Sequence, residues 1–390
     1  MYRIQKFNQI SVKGLERFER DRYEIATDIA QPDAILLRSH RLSPEEIPDS
    51  VLAVARAGAG VNNVPVDVLS ERGIPVFNTP GANANAVKEL VLCALLLSSR
   101  GIVPGIAYVD GLRGVRDAAA LGATLEAEKK RFRGHELLGK TLGVVGLGAI
   151  GSRVTEAAIQ LGMRVLGYDP ALSVEAAWRV PNQVEKMENL QSLLAKSDFV
   201  SLHVPLLEAT RNLINEDTLA YTRKGAVLLN FAREGIVDTA AVAQFLDSGY
   251  LRQYVTDFPE PNLVGHPGAL LMPHIGASTA EAEENCAVMA ADQLIDFLEN
   301  GNVRNSVNFP TLVLERTAGC RLAVSNRNVP KVLGQVLSVL ADRNINVLDM
   351  LNKSRGDLAY NLIDVECERR DGLRDAILAV DGVIGVRFVD

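Results

Sequence analysis

Three side chains in the second half of the chain have the types needed to oxidise an alcohol. His274 stands in Pro273-His274-Ile275-Gly276, Glu260 in Asp257-Phe258-Pro259-Glu260-Pro261, and Arg233 in Asn230-Phe231-Ala232-Arg233. Removing a hydroxyl proton while hydride leaves the same carbon needs a base that titrates near neutrality, and imidazole is such a base. A carboxylate beside it fixes the tautomer and stabilises the cationic ring. An arginine fork binds a carboxylate through two hydrogen bonds and polarises the neighbouring carbonyl. Taken singly, each type has a commoner role, since most such histidines are structural and most arginines and glutamates are solvated. Their shared position, just past short apolar runs, favours the chemical reading.

The hydride also needs an acceptor. Gly146-Leu147-Gly148-Ala149-Ile150-Gly151 has the G-x-G-x-x-G spacing, with an apolar run at 142–145 before it and a helical run at 152–161 after it. There Gly146 permits a tight turn, Gly148 lets the backbone approach a pyrophosphate, and Gly151 lets helix and strand pack closely. The amides from Ala149 and Ile150 onward face the phosphates. Asp169, eighteen residues past Gly151, is placed to bind a ribose hydroxyl and repel a 2′-phosphate, which selects NAD. Ligands of open α/β sheets bind beyond the carboxyl ends of the strands. Past successive apolar runs stand Gly146 to Gly151, Asp169, His203 with Pro205, Ala232 with Arg233, Asp257 with Glu260, and His274 with Gly276. One sheet edge is thus expected to carry both the nucleotide and a cation, carboxylates and an imidazole.

The elements that must position these groups follow from the rest of the chain. Its 390 residues, 47% hydrophobic and 23% charged, suit two or three ordinary domains of about 100–200 residues each. A net charge of −7 argues against a nucleic-acid partner. No apolar run approaches the ~20 residues that span a bilayer, so no membrane partner and a cytoplasmic setting are expected. Cys93, Cys286, Cys320 and Cys367 lack metal-ligand spacing and read as unlinked thiols, with no metal site.

Residues 1–97 alternate apolar runs (Ala34–Leu37, 51–57, 75–77) with helical stretches, the pattern of an open parallel sheet. Residues 98–275 carry the fingerprint and six apolar runs, the count of a doubly wound nucleotide-binding domain. Ser278-Thr279-Ala280-Glu281 has capping-box spacing and opens a helix that Gly301 would stop. That helix returns to the first domain, so 1–97 with 276–300 forms a discontinuous substrate-binding domain and 98–275 is its insertion. Residues 301–317 read as a linker, and 318–390 follow a βαββαβ order, the ferredoxin-like plan.

The segments around Gly146, Asn230, Asp257 and His274 together resemble the signatures of the D-isomer-specific 2-hydroxyacid dehydrogenases. The resemblance covers nearly the whole chain. It implies an α/β fold: a Rossmann-type doubly wound domain inserted in a flavodoxin-like substrate domain, with a C-terminal ferredoxin-like module similar to ACT domains. It implies Arg233, Glu260 and His274 as catalytic residues and Asp257 as a contact to the nicotinamide. Two departures stand out: Glu234 replaces a common glycine, and the Asp257-to-Glu260 interval is one residue shorter than usual.

The implied reaction is NAD-dependent oxidation of 3-phospho-D-glycerate to 3-phosphooxypyruvate, the entry to phosphorylated serine synthesis. The alternatives are a dehydrogenase for another small acid, such as one yielding 2-oxoglutarate, and a non-catalytic NAD-sensing protein. Arg38 and Ser39 are the expected phosphate anchor, since a doubly charged phosphate wants a fixed cation. Gly60, in a glycine-rich loop, and Asn83 complete the substrate set, with Arg233 on the carboxylate. In the terminal module, Asn326, Asn328 and Asn346 stand where relatives hold an amino-acid effector, L-serine being the candidate. A homodimer or homotetramer is the expected assembly.

Overall fold

The computed structural model describes residues 1–317, 319–366 and 371–389. The chain divides into two compact units, one spanning Ala84–Ser278 and the other built from Met1–Asn83 with Thr279–Asp390.

The Ala84–Ser278 unit is a seven-stranded parallel sheet. Its order is Ala269–Leu271, Gln253–Thr256, Val227–Asn230, Phe199–Leu202, Thr141–Val145, Arg164–Tyr168, Glu185–Lys186. The central strands are buried along their whole length, as expected of a parallel sheet covered on both faces. Chain order reverses between Thr141–Val145 and Phe199–Leu202, which is the switch point where doubly wound sheets bind nucleotides. Six strands match the apolar runs, and the seventh, Glu185–Lys186, is an exposed two-residue edge with no apolar signal. The helix Ala84–Ser99 belongs to this unit. It buries Val87, Val91, Ala94 and Leu95 against the sheet and the helix Gly151–Gln160. The boundary expected at 97/98 therefore falls at 83/84.

The other unit begins with a five-stranded parallel sheet in the order Tyr23–Ala26, Tyr2–Lys6, Ala34–Leu37, Ala53–Arg56, Val76–Phe77. This 2-1-3-4-5 order is the flavodoxin-like one. The helix Ala280–Asn300 packs on it and ends at Gly301, whose φ of 72° is left-handed. Its N-cap is Thr279, which accepts from the Ala282 amide, one residue later than the capping-box spacing indicates.

The C-terminal part has the expected βαββαβ order and an antiparallel sheet ordered Val347–Arg355, Leu358–Val365, Cys320–Arg327, Val383–Val389. One face packs on the helices Val332–Asp342 and Leu373–Leu378, while Ala323, Tyr360, Leu362 and Val389 on the other join the core around Ala280–Asn300. The module is thus a covered layer of this unit. Residues 301–317 are not a free linker: Val303 pairs with Leu312, Phe77 with Ser306, and the buried Arg321 guanidinium donates to Asn300, Leu314 and Glu315 carbonyls. Cys93 and Cys286 are free thiols, but Cys320 is disulfide-bonded, which corrects the expectation of unlinked cysteines. Cys367 lies outside the described residues.

Candidate active site

In the Ala84–Ser278 unit every expected group lies past a strand end. Gly146 has a φ of 90°, and a Cβ there would lie 2.6 Å from the His203 carbonyl oxygen. A Cβ on Gly151 would lie 1.9 Å from the Gly146 oxygen, so both positions demand glycine. Gly148 is different: a Cβ there meets nothing within 4 Å. Protein packing does not explain that glycine, whereas a pyrophosphate resting on the loop does. The helix Gly151–Gln160 has Ile150 at its N-cap and no side chain capping its start; the Ser152 amide donates to the Gly148 carbonyl, and the positive end of the helix faces the loop where an anion would sit. Asp169 faces the loop, its carboxylate accepting from the Leu147 and Ala171 amides. His203 bonds Ser201 Oγ through Nε2 at 2.8 Å, and burial pushes its imidazole down to about 3, so it stays neutral. The carbonyl of Pro205 accepts from Thr210 Oγ1. These groups suit NAD.

The strand Val227–Asn230 delivers Arg233 through a turn held by buried Asn230, whose amide donates to the Arg233 carbonyl and accepts from the Ala232 amide. The Arg233 guanidinium donates to the Ala232 carbonyl at 2.7 Å, and no carboxylate pairs with it among the described residues. Asp257, 3% exposed, accepts from the amides of Ile275 and Gly276, both at 2.7 Å. A Cβ on Gly276 would come 2.9 Å from that carboxylate. Asp257 thus clamps the turn that presents His274, exposed at a left-handed φ of 55° with its ring 4.8 Å from that of Phe258.

Glu260 departs from expectation. Its carboxylate accepts from Thr239 Oγ1 at 2.5 Å, and no hydrogen bond joins it to His274. The hydroxyl, supplied by the start of the helix Thr239–Asp247, takes the place foreseen for the imidazole.

In the other unit, Arg38 and Ser39 follow the strand Ala34–Leu37. The Ser39 amide donates to Asn8 Oδ1, and Arg38 is held by Glu283 at 2.5 Å. The 58–62 loop is tied to the Asn78–Asn83 segment, since Asn78 donates to the Ala59 carbonyl and the Thr79 amide to that of Gly58. A Cβ at Gly60 meets only the side chains of Asn62 and Arg56, so its backbone is open to a ligand. Arg56, which sequence reasoning missed, lies against Gly58, and its Nε donates to the Arg38 carbonyl. The sign was present: an arginine ending a strand just before a glycine-rich loop.

The three effector asparagines do not converge within one chain. Asn326 is buried and spent internally, donating to the Arg327 carbonyl and accepting from Asn361, which accepts in turn from Asn352. Asn328 donates to the Gly356 carbonyl at one end of the sheet. Asn346 donates to Glu366 at the other, since Cys320 pairs with Val365 and Arg327 with Leu358.

Comparison with known proteins agrees with this geometry. The family model "D-isomer specific 2-hydroxyacid dehydrogenase, NAD binding domain" matches residues 107–276. A D-3-phosphoglycerate dehydrogenase of Haemophilus influenzae is 35% identical over 88% of this chain and 82% of its own length. That of Escherichia coli strain K12 is 32% identical over 95% of this chain and 90% of its own. Among solved structures, the NAD+-bound 3-phosphoglycerate dehydrogenase of Entamoeba histolytica superposes with a TM-score of 0.61 at 25% identity, covering 80% of this chain and 99% of that one. The chain belongs to the D-3-phosphoglycerate dehydrogenase family of NAD-dependent, D-isomer-specific 2-hydroxyacid dehydrogenases.

Proposed function

We propose that the protein oxidises 3-phospho-D-glycerate to 3-phosphooxypyruvate. The observation that carries this is the convergence of the glycine turn, Asp169, Arg233, Asp257, Glu260 and His274 on one edge of the seven-stranded sheet. NAD, when bound, takes the hydride from C2 of the substrate. His274 takes the hydroxyl proton, so that the C–O bond becomes the carbonyl as the C–H bond breaks. Arg233, paired with no carboxylate among the described residues, holds the substrate carboxylate and the developing 2-oxo group. Glu260 favours the imidazolium, exchanging Thr239 for His274 as the proton arrives. Asp257 fixes the His274 turn and keeps lone pairs for the nicotinamide carboxamide. On the other unit, Arg38, Ser39, Gly60 and Asn83 are the substrate-binding residues of this reading, with Arg56 as a second cation beside Arg38.

A panel of D-2-hydroxy acids followed by NADH absorbance decides the reading. NADH formation with 3-phospho-D-glycerate is the expected result. Turnover of another acid alone, or NADH binding without any turnover, would sink it in favour of a different dehydrogenase or a sensor. Arg38→Ala is expected to lower kcat/KM for 3-phospho-D-glycerate by about 10- to 100-fold, the worth of a charge-assisted contact. D-glycerate should lose little, and equal losses would remove the phosphate role.

The glycines give a second contrast, read by NADH fluorescence titration and thermal unfolding. Gly148→Ala should weaken NADH binding while leaving the melting temperature unchanged, because only ligand space is filled. Gly151→Ala should do both harms, with about tenfold or more weaker binding. A homo-oligomer fits Val103, Ile106 and Val109, exposed along the helix Ile102–Gly111, and sedimentation of Ile106→Asp tests it. L-serine, acting at Asn328 or Asn346, is tested by calorimetric titration of the full chain.

A further inference from the structure

A cavity of about 420 Å³ lies where the antiparallel sheet covers the five-stranded domain. Its lining includes Glu71, Gly73, Ser325, Arg374, Gly385 and Arg387. Ser325 is 5% exposed overall, and its hydroxyl, open to the cavity, has no hydrogen-bond partner among the described residues. A hydroxyl left unpaired by the protein and facing a cavity is free to bond whatever occupies that cavity. The space in front of it is kept open by two glycines: a Cβ on Gly73 would lie 2.8 Å from Ser325 Oγ, and one on Gly385 2.9 Å. Gly73 has a φ of 72°, which independently demands glycine, and Gly385 pairs with Ser325 across the sheet beside the register shift at Ser325/Asn326, a position that suits glycine.

The remaining polar groups set the sign of the occupant. Arg72 spends its guanidinium on the Ile47 and Pro48 carbonyls, and Arg387 spends both terminal nitrogens on Leu298 and Phe297. Arg374 reaches over the free edge of the strand Val383–Val389, its Nε on the Val386 carbonyl at 3.2 Å. Among the described residues, only a 3.9 Å approach to Asp375 engages its terminal nitrogens. Among the described residues the unspent donors are therefore Arg374 and the Ser325 hydroxyl, set among Leu52, Leu378 and Ile384. Two carboxylates stand at the rim: Asp49, which takes Arg72 at 3.3 Å, and Glu71, which has no partner among the described residues.

We propose that this cavity is a binding site for a small carboxylate on a short apolar body, held by Arg374 and Ser325. Its inner wall is the turn at Gly73, which runs through Val76–Phe77 to the Asn78–Asn83 segment, so occupancy alters substrate KM. Two ligand sources share this chemistry: simple carboxylic acids and amino acids, whose ammonium would meet Glu71.

Calorimetric titration of the full chain with propionate, L-alanine and 1-propanol separates them. Propionate or L-alanine should bind and 1-propanol should not. Ser325→Ala and Arg374→Ala should each weaken binding by about tenfold, and Glu71→Gln should weaken L-alanine alone. The partly exposed Arg374 and the small change at Ser325 leave the fold intact, which circular dichroism checks. No heat with either acid, equal binding of 1-propanol, or binding unchanged in both variants would overturn the site. Binding without any change in KM would overturn its link to the substrate domain.

Discussion

His274→Ala is expected to lower kcat by about 10²- to 10⁴-fold, the usual contribution of a positioned general base. The dissociation constant of NADH should stay within a few-fold of wild type. The two readouts separate because of how the turn is built. Asp257 holds the Ile275 and Gly276 amides, so the loop is fixed through its main chain and not through the imidazole. Alanine at a φ of 55° is strained, and asparagine tolerates that region better. His274→Asn is therefore the cleaner variant, keeping the backbone and removing the base. Stopped-flow NADH formation in a single turnover reads hydride transfer apart from product release. Turnover of His274→Asn within about tenfold of wild type would remove His274 as the base. Asp257→Asn should show a milder version of the same loss, because one of the two amides it clamps would face an NH2 group.

The edge carrying this chemistry was legible because a parallel sheet writes itself as apolar runs and places function just past them. Glycine spacing located the nucleotide turn for a similar reason: Gly146 and Gly151 answer to local backbone geometry. The pairing of polar side chains was not legible. Glu260 meets Thr239 on a neighbouring helix, Arg38 meets Glu283 across 245 positions, and Asn326 closes a chain of amides with Asn361 and Asn352. No periodicity reports such contacts, since they depend on which strands become neighbours. Residues 301–317 read as a linker because they are polar and short of periodicity. Their order comes from the backbone bridges Val303–Leu312 and Phe77–Ser306 and from a guanidinium supplied by the next strand.

That guanidinium carries the largest expected effect on stability. Arg321 is 1% exposed and grips Asp364 through two hydrogen bonds, Nε to Oδ1 at 2.7 Å and a terminal nitrogen to Oδ2 at 2.8 Å. Its other donors reach the carbonyls of Asn300, Leu314 and Glu315. Arg321→Met leaves a buried carboxylate with Thr317 as its remaining support and strips three carbonyls, so about 3–5 kcal/mol should be lost in denaturant unfolding at pH 7. Asp364→Leu added to that variant should restore much of the loss, because removing both charges costs far less than removing one.

The pH dependence gives a second, independent sign. Burial pushes the Asp364 carboxyl up, but hydrogen bonds from Arg321 and Thr317 outweigh it and hold the group below the usual range. In the wild type this contribution is present above the unfolded value of about 4 and is lost as pH falls through the lower folded value. Without Arg321, burial dominates and the folded value rises above the unfolded one. The variant then gains stability as pH falls toward about 4, so its deficit shrinks in acid. A deficit below about 1 kcal/mol at pH 7, or one that widens on acidification, would show that this pair does not anchor the C-terminal sheet.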